Sequence, residues 1–533
     1  MDISKKSTIE RTLNVFLNNG IQNLLADGKI GIEREALRVN SNGSIATTSH
    51  PKEFGSPLTH PNITTDYSEA LIELITPAFT SIDETYVFLN KLHQYVYRNL
   101  DNEILWMSSM PCIVNRKTGV PVAQYGESNI GTMKKIYRRG LGLRYGRTMQ
   151  AIAGVHFNYS FSKSFWENLY AVQEDAMPIQ EFISNNYFCL IRNLLRFGWL
   201  ITYLFGSSPA VCKSFLHGEK TNMESFDPQT FFEKHATSLR MGDIGYQNNK
   251  EAEIGVQADY SNVKSYAESL LNAVLTPCPE YEKIGVKVDG EYRQLSSNIL
   301  QVENEYYGAV RAKPKLTGNE MPSLALLEKG VHYVELRSLD INVFDPLGIE
   351  TGQLYFLEAL MIYCLLKESP PINDHEKNEI NYNEAKTAHH GRMPQLCLQK
   401  GNKEISLKEY AKNILIEMQD ICAVLDTSRG VNQYSLSLNN QIDKVKDPSL
   451  TPSAKIIQGM RQDKLSFFEY TWDLSNHQQE YFFNLPEDKE FSSHLDAISQ
   501  DSVLKQKEIE QKDNQKFDEY LHDYFNQINA RSL

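Results

Sequence analysis

The chain reads as an α+β protein built around a mostly antiparallel sheet. Runs with the period-two alternation of strands are interleaved with runs of helical period. Their order shows no regular βαβ repeat, which a doubly wound parallel sheet would require. Four strand-like runs also place acids, or a histidine, at alternate positions among strongly apolar neighbours: Gly31-Ile32-Glu33-Arg34-Glu35, Asp66-Tyr67-Ser68-Glu69-Ala70-Leu71-Ile72-Glu73, Gly154-Val155-His156-Phe157-Asn158 and Tyr333-Val334-Glu335-Leu336-Arg337.

In order along the chain, residues 8–25 predict a helix, because Ile9, Leu13, Phe16, Ile21 and Leu24 recur near a helical spacing. Residues 29–40 predict a strand that ends at the turn Asn40-Ser41-Asn42-Gly43. Residues 66–76 predict a second strand closed by Pro77, residues 82–100 a helix, and residues 152–161 a third strand. A long apolar helix is expected from Tyr187 and an amphipathic one over 260–275. Residues 299–311 and 332–342 return to extended structure, and 353–367 to an apolar helix. Pro370-Pro371 marks a break before a polar, helix-rich part. Beyond Pro486 the density of charge predicts a tail of solvated helix or disorder. The expected organisation is one unit over 1–485, with a sheet core at about 25–370 and a helix-rich part at about 371–485, followed by the 486–533 tail.

A length of 533 residues allows a sizeable core, and 41% hydrophobic with 23% charged residues is ordinary for a globular protein. The net charge of −13 argues against a nucleic-acid partner, which would want clustered Lys and Arg. The seven scattered cysteines form no C-x-x-C pair, so reduced thiols are expected rather than a zinc ribbon or disulfide scaffold. The N-terminus lacks the apolar core of a signal peptide. The apolar run 354–366 is too short to span a bilayer and the longer run 187–211 carries Arg192 and Arg196, so both read as buried helices in a cytoplasmic protein with no membrane partner.

The chemistry lies in the four acidic strands. Residues i and i+2 of a strand share a face, which pairs Glu33 with Glu35, Glu69 with Glu73, His156 with Asn158, and Glu335 with Arg337. A single Glu-x-Glu is usually an edge strand with solvated acids. Here the flanking residues are apolar, and buried acids are very costly unless a cation sits on them. Oxygen ligands with one imidazole point to Mg²⁺ or Mn²⁺ rather than zinc. With Arg337 beside Glu335 they suggest phosphoryl transfer, the alternative being that Arg337 is a structural ion-pair partner of Glu335 or a neighbouring acid. The acids of residues 297–307 are either further active-site groups or an ordinary half-exposed strand. Tyr137-Arg138-Arg139 and Arg240 read either as helix-end and loop cations or as substrate binders. No P-loop, H-E-x-x-H or G-x-S-x-G is present. Gly140-Leu141-Gly142-Leu143-Arg144-Tyr145-Gly146 has one residue too many for a dinucleotide loop, which favours a turn and helix.

These stretches, together with Ser109-Met110-Pro111-Cys112, Thr237-Ser238-Leu239-Arg240 and Asp243-Ile244-Gly245-Tyr246, resemble glutamate–cysteine ligases of the proteobacterial type. The likeness runs from about residue 20 to about 360 and more loosely to about 480. It implies a funnel-like, mostly antiparallel sheet surrounded by helices, related to glutamine synthetase and the guanidino kinases. It implies ATP-dependent joining of L-cysteine to the γ-carboxylate of L-glutamate through an acyl phosphate, with the chain stopping at γ-glutamylcysteine. Carried over by position, Glu35, Asp66 and Glu73 would hold one magnesium, and Glu33, His156 and Glu335 the ions at the ATP phosphates. Arg337 would stabilise the phosphoryl group and Arg240 grip a substrate carboxylate. Tyr137, Tyr246 and Tyr307 would shape the cysteine pocket, with Gln150 on the glutamate side. Tyr67 stands where the family pattern leads one to expect Phe. Glutathione feedback and a monomeric state are further expectations. The rival readings are a related ligase using another amine, or a non-catalytic nucleotide-binding regulator on the same fold.

Overall fold

The computed structural model describes residues 8–111, 113–114, 119–173, 176–245 and 257–530. Its centre is a seven-stranded sheet of β1 (Lys29–Asn40), β2 (Ile63–Thr65), β3 (Leu71–Ile75), β4 (Glu103–Leu105), β5 (Val155–Ser160), β6 (Val310–Lys313) and β7 (Tyr333–Leu339). The strand order is β6-β7-β5-β1-β3-β2, with β4 paired to the end of β1. All these pairs are antiparallel. The expected α+β class with an antiparallel sheet is what the chain adopts.

One face of the sheet is apolar, because Ile32, Ala36, Ile72, Leu74, Val155, Phe157, Val334 and Leu336 alternate with the acids and are fully buried. Helices α1 (Ile82–Arg98) and α3 (Ile179–Phe205) pack on it, and α4 (Thr351–Leu366) packs against both. Helix α2 (Asn129–Tyr145) borders the β2–β3 hairpin instead. The start of α1 is fixed by Ser81, whose hydroxyl accepts the Glu84 amide at 3.2 Å, with Asp83 and Glu84 in the first turn. Helix α3 is long and apolar enough to cross a membrane, but 78% of its most apolar window is buried in the protein. It is a core helix.

Several expected elements are redrawn. The predicted helix over 8–25 ends at Asn18, and a 3₁₀ turn follows at Gln22–Asp27, because Gly20 takes φ +68° between them. The predicted strand over 66–76 is a hairpin: β2 ends at Thr65, Asp66 to Ala70 make the turn, and β3 begins at Leu71. Residues 299–311 are not one strand. They form a 3₁₀ turn at Glu303–Glu305 before β6, since both acids are drawn inward: Arg144 reaches Glu305 at 2.8 Å, and Glu303 accepts the Ser323 amide. The glycine-rich stretch 140–146 is the end of α2, where Gly140 and Gly142 let the helix approach Gln301 and Tyr67. The charged tail is two helices, Lys489–Lys512 and Phe517–Ala530, docked on the sheet-bearing part. Ser502 Oγ accepts the Ser56 amide, Asp513 accepts from Asn129, and Leu495 and Ile528 are buried. Cys212 is disulfide-bonded, which corrects the expectation of reduced thiols at that position. Spacing along a chain does not report which thiols a fold juxtaposes. Cys189, Cys278, Cys364, Cys397 and Cys422 are free.

The entry to β2 depends on His60. Its Nδ1 accepts the amides of Asn62 and Ile63 at 3.0 and 2.8 Å, so the proton must sit on Nε2. Burial holds this histidine down at about 4. The unfolded chain, with His near 6.5, therefore binds more protons between pH 4 and 6.5, and stability falls as pH drops through that window. His60→Asn, whose Oδ1 can accept the same amides, should give a shallower loss of Tm between pH 6.5 and 4. An unchanged slope would assign the acid sensitivity elsewhere.

Candidate active site

The other face of the sheet carries the titratable groups. Register sets Glu33 opposite His156, Glu35 opposite Glu73, and Glu335 opposite both Asn158 and Arg311. His156 Nδ1 is 2.9 Å from Glu33 and 3.7 Å from Glu335, and its Nε2 is 3.5 Å from Glu35. Asn158 donates to the second Glu33 oxygen at 2.9 Å, and the Gly154 amide donates to Glu35 at 2.6 Å. One ligand atom each from Glu33, Glu73 and His156 lie within 4.8 Å of one another.

Asp66 joins this cluster from the turn. It follows the last β2 residue, so strict alternation with Glu73 is not required. The neighbouring negative charge of Asp66 bears on both Glu35 and Glu73. Arg138 on α2 holds the Asp66 carbonyl and stacks over Tyr125 at 4.6 Å. Glu69 is turned away. Its carboxylate accepts the backbone amides of His50 and Gln124 at 2.9 and 2.8 Å and so closes loops.

Electrostatically the face is polarised. Burial, reinforced by Glu33, Asp66 and Glu35, pushes Glu73 well above the usual carboxylate range. Glu35 is also raised by burial, against the opposing pull of His156. At the other border burial would raise Glu335, yet Lys313, Arg337, His156 and Arg311 together hold it well below its ordinary value. Lys313 Nζ lies 3.3 Å and Arg337 Nη1 3.1 Å from Glu335. Burial opposes the charge of Arg337, but Glu335 and Glu35 outweigh it and raise the guanidinium further.

Arg240 sits in the 3₁₀ turn Leu239–Met241, capped by Ser238. Its Nη2 donates to the Arg337 carbonyl at 2.8 Å, and Nη1 lies 3.7 Å from buried Asp340. A Cβ on Gly154 would come within 2.2 Å of that guanidinium, which is why a glycine precedes β5 here. Tyr307 packs its hydroxyl on Met241 Sδ at 3.8 Å, in the fields of Arg240 and Arg337. Tyr137 on α2 feels Glu305, Arg311, Arg138 and Asp66. Gln150 is buried in the turn Met149–Ala151 that leads into β5, and no hydrogen bond joins its side chain to the acidic cluster among the described residues. Tyr246 lies outside the described residues.

Thus Glu33, Glu35, Asp66, Glu73, His156, Glu335, Arg337, Arg240, Tyr137 and Tyr307 converge. Sequence reasoning missed Arg311 and Lys313 of β6. Their signal was the alternation Val310-Arg311-Ala312-Lys313, cationic on the face that meets Glu335. It also missed Lys134 as a wall cation, and it left Arg138 open between a helix-end cation and a substrate binder. Lys134 is lowered to about 8 by burial and by Arg138.

Comparison with known proteins falls on this same architecture. The sequence model of the glutamate–cysteine ligase family matches residues 13–387. The glutamate–cysteine ligase of Alcanivorax borkumensis is 43% identical over 523 residues, covering 97% of this chain and 99% of its own. That of Pseudomonas aeruginosa strain UCBPP-PA14 is 43% identical over 501 residues, 94% of each chain. The crystal structure of glutamate–cysteine ligase from Francisella tularensis in complex with AMP superposes with a TM-score of 0.88 at 35% identity, over 95% of this chain and 98% of that one. A bifunctional glutathione synthetase from Pasteurella multocida shares the fold, with a TM-score of 0.72 at 22% identity over 93% of this chain and 58% of that one. The chain belongs to the glutamate–cysteine ligase family, ATP-dependent ligases that make γ-glutamylcysteine in glutathione biosynthesis.

The crowding at Glu73 separates function from stability. Glu73→Gln removes a carboxylate that its neighbours repel, so metal-free protein should unfold at an equal or higher temperature, by about 1–3 kcal/mol of added stability. Turnover should fall at least about a hundredfold. A variant that loses stability and keeps turnover would make Glu73 a structural acid.

Proposed function

We propose that the acidic face is the floor on which ATP activates the γ-carboxylate of L-glutamate for attack by the amine of L-cysteine. The observation that carries this is the convergence of Glu33, Glu73 and His156 within 4.8 Å, bordered by the Glu335–Arg337 pair. Asn158 Oδ1, a buried oxygen on this face, accepts no hydrogen bond among the described residues, and carboxylates with one imidazole suit Mg²⁺ or Mn²⁺. Glu35, Asp66 and Glu73 would hold one ion, and Glu33, His156 and Glu335 those facing the phosphates. Bound there, the metal would supply Lewis-acid neutralisation of phosphate charge.

The chain's own groups divide the remaining work. Arg337, oriented by Glu335 and by the backbone bond from its amide to Ala309, directs its guanidinium at the transferring phosphoryl group. Arg311 and Lys313 add charge on the same border. Arg240, held between Asp340 and the Arg337 carbonyl, binds a substrate carboxylate, with Gln150 beside the glutamate. Tyr137 and Tyr307 enclose the cysteine. A γ-carboxylate oxygen attacks the γ-phosphorus and ADP departs. The cysteine amine then adds to the acyl carbon, and phosphate leaves as the amide forms. Glutathione, which shares the γ-glutamyl group, would compete for the glutamate pocket. We further propose a cytoplasmic monomer. Residues 1–485 would form one ligase unit, whose funnel-shaped sheet is of the glutamine synthetase and guanidino kinase type.

ADP release, followed with cysteine, glutamate or magnesium omitted in turn, should require all three for full rate. Release indifferent to both amino acids would sink the assignment, and equal turnover with other amines would redirect it to a different ligase. Arg337→Ala should cost about 10³-fold or more in turnover with the fold intact by circular dichroism. Near-normal turnover would reduce Arg337 to an ion-pair partner.

A further inference from the structure

Outside the acidic face, an open cleft of about 640 Å³ is lined by Lys234, His235, Arg392 and Arg461. None of the described side chains lining it is acidic. That is unusual placement on a chain of net charge −13.

The cations are held there without carboxylates. Arg392 donates from Nε to the Ala236 carbonyl at 3.1 Å and from Nη2 to the carbonyls of Lys234 and Ala236 at 3.0 Å. Backbone carbonyls orient a guanidinium and leave its charge uncompensated. Arg461 lies over the Phe232 ring at 5.8 Å. Among the described residues, no carboxylate lies within 4.0 Å of Lys234, Arg392 or Arg461, since no such ion pair occurs. Two acids close in sequence are committed elsewhere: Glu233 binds His389 at 2.9 Å, and Asp447 caps the Ser449 amide at 3.0 Å. The crowding is felt by the groups themselves. Burial and then Arg461 lower Arg392 to about 10, and burial, Arg392 and Lys234 lower His235, which leaves it a neutral hydrogen-bonding group at pH 7.

We propose that this cleft is a binding site for a phosphate-class anion, free or as an ester, distinct from the acidic catalytic face. Three permanent cations match the charge of about −1.5 to −2 and the three acceptor oxygens of one phosphoryl group better than a single carboxylate. The volume exceeds that of a bare phosphate, and Ile457 supplies an apolar wall for an organic group.

The test is calorimetric titration of the full-length protein with inorganic phosphate, pyrophosphate and acetate at constant ionic strength. Magnesium is left out to weaken anion binding at the acidic face, and whatever Arg311, Lys313 and Arg337 still draw there is unmoved by variants of the cleft. Wild-type protein should bind pyrophosphate at one site with a Kd below about 1 mM, and acetate at least about tenfold more weakly. The K234Q/R461Q variant, altered at two exposed positions, should bind pyrophosphate at least about tenfold more weakly while keeping turnover at saturating substrate. R461E should weaken it further. Unchanged affinity in both variants, equal binding of acetate, or no binding to wild type up to about 10 mM would overturn the proposal.

Discussion

Mutual repulsion among Glu33, Glu35, Asp66 and Glu73 is the constraint from which the rest of this structure follows. Two unit charges 4 Å apart cost about 4 kcal/mol at an effective dielectric of 20, and burial adds to that. His156 and the cations beyond it offset it only in part: Glu33 is drawn down, while Glu73 and Glu35 stay raised. The stabilisation comes from the opposite face of the same strands. Ile32, Ile72, Leu74, Val155, Phe157 and Leu336 are buried beneath α1, α3 and α4, and full burial of such side chains contributes about 1.5–3 kcal/mol each. Period-two alternation lets one set of strands do both. The apolar positions fix the register, and the register then fixes which acids meet.

That register also sorts charge. Strands β1 and β3 bring acids together, whereas β6 and β7 bring Arg311, Lys313 and Arg337 around Glu335. His156, on β5 between them, touches both halves. A face that is anionic at one border and cationic at the other suits a reaction in which divalent cations and phosphoryl oxygens must lie side by side. On the proposed reading, cations would bind toward β1 and β3, with phosphoryl oxygens between them and the arginines, and the gradient would orient the nucleotide before any single contact did so.

Much of this was legible because strands advertise their faces. Glu33, Glu35, His156, Glu335 and Arg337 lie inside regular strands, where i and i+2 arithmetic holds. It failed at turns. Asp66 and Glu69 were read as members of one strand, but the chain reverses between Thr65 and Leu71. One acid then faces the cluster and the other is spent on backbone amides. Arg311 and Lys313 went unnoticed because their strand is four residues long and was merged with the extended-looking acids at 303 and 305. Those acids belong to Arg144 and Ser323. The docking of residues 489–530 was equally hidden. A charged helix carries its few buried contacts, such as Leu495 and Ile528, at a density that composition alone reads as solvated.

Arg240 shows how the two substrates' geometries become one problem. Its guanidinium is fixed by the carbonyl of Arg337, by Asp340 three residues further on, and by the missing side chain of Gly154 at the start of β5. The register shift of β7 against β5 falls between Leu336 and Leu339, the stretch that holds Arg337. Such irregularities re-aim side chains next to functional sites. The same few residues of β7 therefore set the direction of Arg337 and the anchor of Arg240, the two arginines proposed to hold the phosphoryl group and a substrate carboxylate. A change that moves this stretch moves both together, because Arg240 is anchored on the backbone carbonyl of Arg337 itself. For a reaction that must join a carboxylate oxygen to phosphorus in line, a fixed separation of the two grips matters more than the strength of either.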